Sequence, residues 1–327
     1  MRQLSTTKMK FSSLTLLSLG TAPLLASAQE CNRPLLTEAA KRYISAQSLG
    51  EPRYLDRAGL SPNTSYFEND KRVTNITSGI LGKPLRIDHS RSIHDTINCA
   101  TYTELIIADP ANPYVIGTQI HFSPSTPTNT SASSGAPYAN RTTLTTFTPG
   151  LEITKIETLI TDPINGWLFN AQHTLVYALR EPQWHLPVPY PSGSAPGGWT
   201  RARRAQIQAA ADAYLDLFFK GPGSVPVPFA PECRRLEGGL YTAEGDTCSD
   251  GVPTGANLTN RRYVIDETAG TVDVFLNFGV VGGLPDSHEF RVDGQGRITN
   301  VHTITVCSMK DCGFENLPEI LSEDVGF

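Results

Sequence analysis

Apolar side chains recur at Ile207, Ala210, Ala211, Tyr214 and Phe218, the spacing of one helical face. The segment EAAKRYISAQ (38–47) resembles QAAADAYLDLF (208–218) and lays Tyr43 on Tyr214, so a matching helix is expected in the first half. Further along, the period falls from 3.6 to 2. RRYVIDETAGTVDVFLNF (261–278) predicts a β-hairpin turning near Ala269-Gly270, and HEFRVDGQGRITNVHTITV (288–306) a second one turning at Asp293–Gly296. Short segments, YFEN (66–69) and RLEGG (235–239), stand between helix and strands in the two halves.

The halves repeat. RSIHDTINCATYTELII (91–107) lays on RYVIDETAGTVDVFLNF (262–278) at the same 171-residue offset as the helices, pairing Asp95 with Asp266, and ITKIETLIT (153–161) matches ITNVHTITV (298–306). Helix first and meandering strands after is an α+β pattern with a mostly antiparallel sheet in each half. The expected order is a first module over 29–180, a Pro/Gly-rich linker over 181–200 and a second module over 201–327. Apolar residues on both faces of Val272-Asp273-Val274-Phe275-Leu276 suit burial on two sides, as in an intrachain pseudo-dimer of the two modules. The Ser/Thr/Pro-rich stretch 123–150 falls where the second half has its DGQG turn, and is expected to be a loop insertion.

The first 28 residues carry basic Arg2, Lys8 and Lys10, an apolar run and Ala26-Ser27-Ala28, the pattern of a cleaved secretory signal peptide. No other stretch is long and apolar enough to span a membrane. Removing those 28 residues leaves 24 Lys and Arg against 32 Asp and Glu, a formal charge of −8. That balance argues against a nucleic-acid partner. Arg201, Arg203 and Arg204, the one dense basic cluster, fit a solvated helix start. Five N-x-S/T sequons, at Asn63, Asn75, Asn129, Asn140 and Asn257, point to a secreted, extracellular glycoprotein.

Six cysteines suit an oxidising compartment. At the 171-residue offset Cys31 and Cys99 fall on Ala202 and Gly270, so both are missing together from the second half. Residues absent as a pair are expected to be paired, hence Cys31–Cys99. Cys233–Cys248 with Cys307–Cys312 is the preferred arrangement among three for the remaining four.

LSPNTSYFENDKRV and GILGKPLRIDHSRS, followed by strands and ITKIETLITD, resemble the SnoaL-like, ketosteroid-isomerase-like (nuclear-transport-factor-like) superfamily. The whole chain after residue 28, with CATYTELI, RLEGGLYT, NRRYV, PDSHEFRV and VHTITVC, resembles a family of secreted fungal proteins of unknown function. The superfamily resemblance implies a tandem pair of cone-shaped modules, each a curved antiparallel sheet wrapped on N-terminal helices around an apolar pocket. It implies fold more firmly than activity, because this fold hosts isomerases, cyclases, dehydratases and plain binders.

Standard catalytic motifs are absent: no G-x-S-x-G, H-E-x-x-H or Walker A sequence occurs. His89, His94, His121, His288 and His302 are dispersed, so neither a metal nor a cofactor is expected. What remains is acid/base chemistry in a dry pocket. Glu68 and Glu237 sit at matching places in YFEN and RLEG, where the superfamily commonly supplies a pocket residue. His288 alternates with Phe290 and Val292 and shares their face. Thr118 and Glu157 replace His288 and His302 in the first half, so the second half is the expected site: Glu237 as general base or acid, His288 as its proton partner, Tyr214 as donor to a substrate oxygen, and His302 nearby. Arg91 and Arg262 match across the repeat, as holders of an acidic ligand group or as surface salt-bridge partners. Two functions stay open: a cofactor-free isomerase, cyclase or dehydratase acting on a small, largely apolar secondary metabolite, or a secreted non-enzymatic binder or surface protein.

Overall fold

The computed structural model describes residues 31–55, 60, 63–124, 150–181, 184, 186–189, 199–245, 248–279 and 283–307. The expected signal peptide, the insertion that carries Asn129 and Asn140, and Cys312 lie outside the described residues. Helix α1 (Arg33–Leu49) opens the first module. Asn32 caps its first turn through Leu35 N, and Gly50 closes it at φ 66°, where a side chain would collide with Pro84. Leu36, Ala40, Tyr43, Ala46 and Gln47 form its buried stripe. Strands β1 (Ser65–Glu68), β2 (Lys71–Arg72), β3 (His89–Asp95), β4 (Ala100–Ile107), β5 (Tyr114–Pro124) and β6 (Leu151–Thr161) follow. They form one sheet in the order β2-β1-β6-β5-β4-β3.

Helix α2 (Ala171–Arg180) follows the first sheet and packs against the end of β4, and α3 (Trp199–Lys220) opens the second module. Strands β7 (Phe229–Glu237), β8 (Leu240–Gly245), β9 (Leu258–Asp266), β10 (Thr271–Phe278), β11 (Leu284–Val292) and β12 (Ile298–Thr305) build a second sheet, β8-β7-β12-β11-β10-β9. The two orders are identical strand for strand. Each sheet is mixed, because β1 runs parallel to β6 and β7 parallel to β12. The hairpins turn where expected, and the 123–150 segment joins β5 to β6 as the Asp293–Arg297 turn joins β11 to β12.

Each helix covers one face of its own sheet, with separate cores around Tyr43, Leu105 and Ile156 and around Tyr214, Val274 and Phe290. The other faces meet each other. Ile93, Tyr102 and Leu159 of the first sheet pack on Val264, Phe275 and Ile304 of the second, with the Tyr102 and Phe275 rings edge to face at 6.1 Å. This explains why β4 is buried along its whole length.

The contact is isologous, as a two-fold axis within one chain requires. Arg33 at the start of α1 reaches Asp266 across the interface at 2.6 Å, and His94 N–H donates to the same carboxylate. Arg204 in α3 reaches Asp95 through two bonds of 2.9 and 2.7 Å, and Ile265 N–H donates to it. Arg33 and Arg204, Asp95 and Asp266, and His94 and Ile265 are each 171 residues apart. Of the arginines in the Arg201–Arg204 cluster only Arg201 is exposed as a solvated helix start would be. Arg204 clamps the modules, and buried Arg203 donates to the carbonyls of Val292 and Asp293.

The stretch 181–200 is likewise more than a spacer. Its last two residues belong to α3, and Glu181 and Trp184 are buried between the sheets. Disulfides join Cys31 to Cys99, as expected from the repeat, and Cys233 to Cys248, the preferred arrangement among the remaining cysteines. Among the described residues no helix is long and apolar enough to cross a membrane.

Candidate active site

The second module holds a cavity of about 220 Å³ on the helix-covered side of its sheet. Its floor comes from three neighbouring strands. β7 contributes Arg235 and Glu237, β11 contributes Asp286 and His288, and β12 contributes Thr303 and Thr305. The pairing register explains the convergence. His288 stands opposite Thr303, and Glu237 stands on the other side of the same Thr303, so all three project from one face. Phe218, Leu240, Val252 and Phe278 supply apolar walls. The two residues the sequence singled out as an acid/base pair, Glu237 and His288, thus line one cavity.

The polar groups are held from behind. His288 Nδ1 bonds Asp286 Oδ1 at 2.6 Å, and Thr305 donates its hydroxyl to the other carboxylate oxygen at 2.6 Å. A carboxylate on one ring nitrogen fixes the tautomer and leaves Nε2 as the working atom. Arg235 donates to the hydroxyl of Thr242 and to the carbonyls of Cys248 and Asp250, and its Nε lies 3.3 Å from Glu237 Oε1. The disulfide to Cys248 anchors that same wall. Burial pushes the Tyr214 hydroxyl up to about 12. It lies next to Arg235, its ring 5.9 Å from that of His288, yet among the described residues it completes no hydrogen bond of good geometry. Tyr214 is thus a core residue that lies outside the cavity lining.

His302 belongs elsewhere. It stands opposite Glu289 rather than His288, so it projects from the other face of the sheet, into the module interface. There its Nε2 meets Glu181 at 2.7 Å, and its ring packs edge-on against Trp184. Burial alone would lower its pKa; Glu181 and Glu104 outweigh that and raise it to about 9. Arg91, expected to hold a ligand or a surface partner, is part of the same buried cluster. It bonds Glu104 and Glu289 and lies 4.1 Å over the Trp184 ring. Arg262 bridges to Asp70 and Glu157 of the first module. These residues join the modules and leave the cavity chemistry to the opposite face.

The first module has filled the equivalent space. Thr118 replaces His288 and hydrogen-bonds the Tyr43 hydroxyl at 2.7 Å. Ile116, buried in the core, stands where the second module has Asp286. Glu68 accepts from the Tyr66 hydroxyl and from Ile80 N–H, so its carboxylate serves as a cap over buried Ile80 and Leu81. Among the described residues no three or more His, Cys, Asp or Glu side chains gather as metal ligands.

Asp286, Arg235 and Thr305 escaped the sequence reading. Asp286 had a signal, since it lies two residues before His288 on the same face. The described sequon residues Asn63, Asn75 and Asn257 are all exposed. No curated protein matches the chain. A family model described as a domain of unknown function (DUF8021) matches residues 200–305, which run from α3 to β12 and take in the whole floor of the cavity.

Proposed function

We propose that this chain is a secreted, glycosylated protein whose second module performs cofactor-free general acid/base chemistry on a small, largely apolar molecule. The reaction class is isomerisation, cyclisation or dehydration. One observation carries it: Glu237 and the Asp286-held His288 converge with Arg235 on a single cavity. With Asp286 accepting from Nδ1–H, Nε2 of neutral His288 takes a proton from substrate and the resulting imidazolium is ion-paired. The imidazolium passes that proton to the Glu237 carboxylate, which delivers it at a second position of the substrate, so both groups end as they began. Arg235, with Tyr214 behind it, supplies hydrogen-bond donors for the oxygen on which charge develops. At about 30 Å³ per water, the cavity has the room of roughly seven waters, which suits a compact substrate.

A helix laid on one face of a six-stranded sheet, with the cavity between them, supports a cone-shaped SnoaL-like module. The match of residues 200–305 to one family model supports treating the second module as a unit. Exposed sequons and the disulfides support passage through an oxidising secretory route.

The test is proton exchange. Small cyclic ketones and enones are incubated with the protein in D2O, and deuterium incorporation is followed by NMR. Wild type should accelerate exchange, and Glu237→Gln and His288→Gln should each lower the rate by roughly 10²–10⁴-fold. Wild-type exchange no faster than in buffer across the panel leaves the cavity as a binding site and removes the catalytic role.

A further inference from the structure

The cavity is not closed by the second module alone. Trp167 and Leu168, in the loop between β6 and α2 of the first module, complete its lining. That loop and the first turn of α2 are fastened to the second module. Gly166 forms a bridge with Val306, Trp167 N–H donates to Thr305 O at 3.1 Å, Asn170 N–H donates to Gly238 O at 2.8 Å, and the Thr174 hydroxyl donates to the same carbonyl at 2.9 Å.

The β7–β8 turn is shaped to receive it. A Cβ on Gly238 would stand 2.2 Å from Trp167 O, and one on Gly239 would stand 2.4 Å from Asn170 O. Both glycines of RLEGG are therefore required by the neighbouring module's backbone as well as by their positive φ angles of 60° and 141°. Leu168 itself is held at φ 48°, a conformation costly for a branched side chain, and there it borders the cavity. Trp167 and Leu168 remain partly exposed, so they lie between the cavity and solvent.

We infer that the first module acts as the specificity element of the second: Trp167 and Leu168 form the roof that sets the size of molecule the His288 cavity admits, so the site exists only when both modules are joined. This rests on the cavity being the ligand site. The ligand class is a compact ring of one or two cycles bearing an oxygen, with the ring under the indole and the oxygen toward Arg235 and His288. At the packing density of protein interiors, near 0.74, about 220 Å³ holds a single aromatic ring with room to spare but not four fused rings.

The experiment uses the full chain with two probes, phenol and 1-pyrenol. Binding is measured by calorimetry and fluorescence, and the His288 ring resonances are followed by NMR. Wild type should bind phenol, shift His288 and reject 1-pyrenol. Trp167→Ala and Leu168→Gly should each lower the ratio of the 1-pyrenol Kd to the phenol Kd by at least about tenfold, the scale of a methylene-sized misfit or larger. Leu168→Gly guards against misfolding, because glycine takes up φ 48° freely while deleting the roof side chain. If phenol binds and shifts His288 but the ratio is the same in wild type and both variants, the roof assignment is overturned and the cavity stands. If neither probe binds wild type or either variant, with His288 unmoved, the ligand site and its roof fall together.

Discussion

Asp266 offers the most direct test of the pseudo-symmetric clamp. Its carboxylate is 1% exposed and accepts from Arg33, from His94 N–H and from the backbone of Thr268 and Ala269. Burial alone would raise its pKa. The hydrogen bonds from His94 and Arg33 outweigh burial and hold it at about 2 against an ordinary 3.8. One pKa unit is worth about 1.4 kcal/mol, so the ionised form contributes about 2 kcal/mol to folding. A folded-state pKa below the unfolded value means that this contribution is complete above about pH 4. It declines as pH falls toward 2 and is gone below that.

Asp266→Asn keeps the shape and one acceptor but removes the charge. Urea unfolding at pH 7 should show a loss of about 2 kcal/mol, a midpoint shift near 1 M for a slope of about 2 kcal/mol/M. Arg33 is 30% exposed and can recover part of its hydration, which keeps the loss below the 3–5 kcal/mol typical of a broken, fully buried pair. The gap between wild type and variant should close between pH 4 and pH 2. Asp95→Asn, which breaks the reciprocal bridge from Arg204, should cost a similar amount at pH 7. Equal midpoints for wild type and Asp266→Asn at pH 7, or a gap that stays constant down to pH 2, would refute the clamp.

Two further outcomes follow from the interface and the cavity wall. His302, raised to about 9, contributes stability that is complete below about pH 6.5 and lost as pH rises through 9, so its ring should remain protonated by NMR at pH 8 and the cost of His302→Gln should be largest at about pH 6.5 and below and shrink as pH rises through 9. Replacing Cys233 and Cys248 together by Ser opens a loop spanning a 15-residue separation and should cost about 3 kcal/mol in thermal or urea unfolding, with the wall at Asp250–Val252 exchanging amide protons faster than the sheet.

The repeat was legible because it is written in residues with fixed geometric duties. The tyrosines under each sheet and the aspartates at each β-turn recur at one offset, and a cysteine pair missing from one copy named its own bridge. Within a strand, alternation placed His288 correctly. Between strands it gave no help: which face of β12 matches which face of β11 depends on register, and His288 pairs with Thr303, so His302 fell on the far side. Extending the alternation two residues back would have found Asp286. The same step back from Glu237 would have found Arg235, although its carbonyl partners, held by the Cys233–Cys248 bridge, leave no mark in the sequence. Helix α2 went unnoticed because its buried positions, Ala171, Thr174 and Ala178, are small and weakly apolar. Glu181 and Trp184 were masked by a Pro/Gly-rich setting in which the fold nevertheless buries two side chains.

The division of labour between the halves has an energetic logic. An unfilled space in a protein core costs about 24 cal/mol per Å³ relative to a packed one, so a cavity of about 220 Å³ costs at most about 5 kcal/mol, less whatever water or ligand recovers. That is comparable with the whole net stability of a typical domain. Two such cavities in one chain would leave little margin. The first module avoids the cost: Ile116 and Thr118 stand in place of Asp286 and His288, Glu68 caps Ile80, and Leu81 is fully buried. Its packed core then anchors the loop that roofs the other cavity, and its Arg33, Asp95 and Arg91 hold the sheets together. A filled copy that steadies an open one accounts for why the repeat keeps its interface residues on both sides and its Asp–His pair on only one.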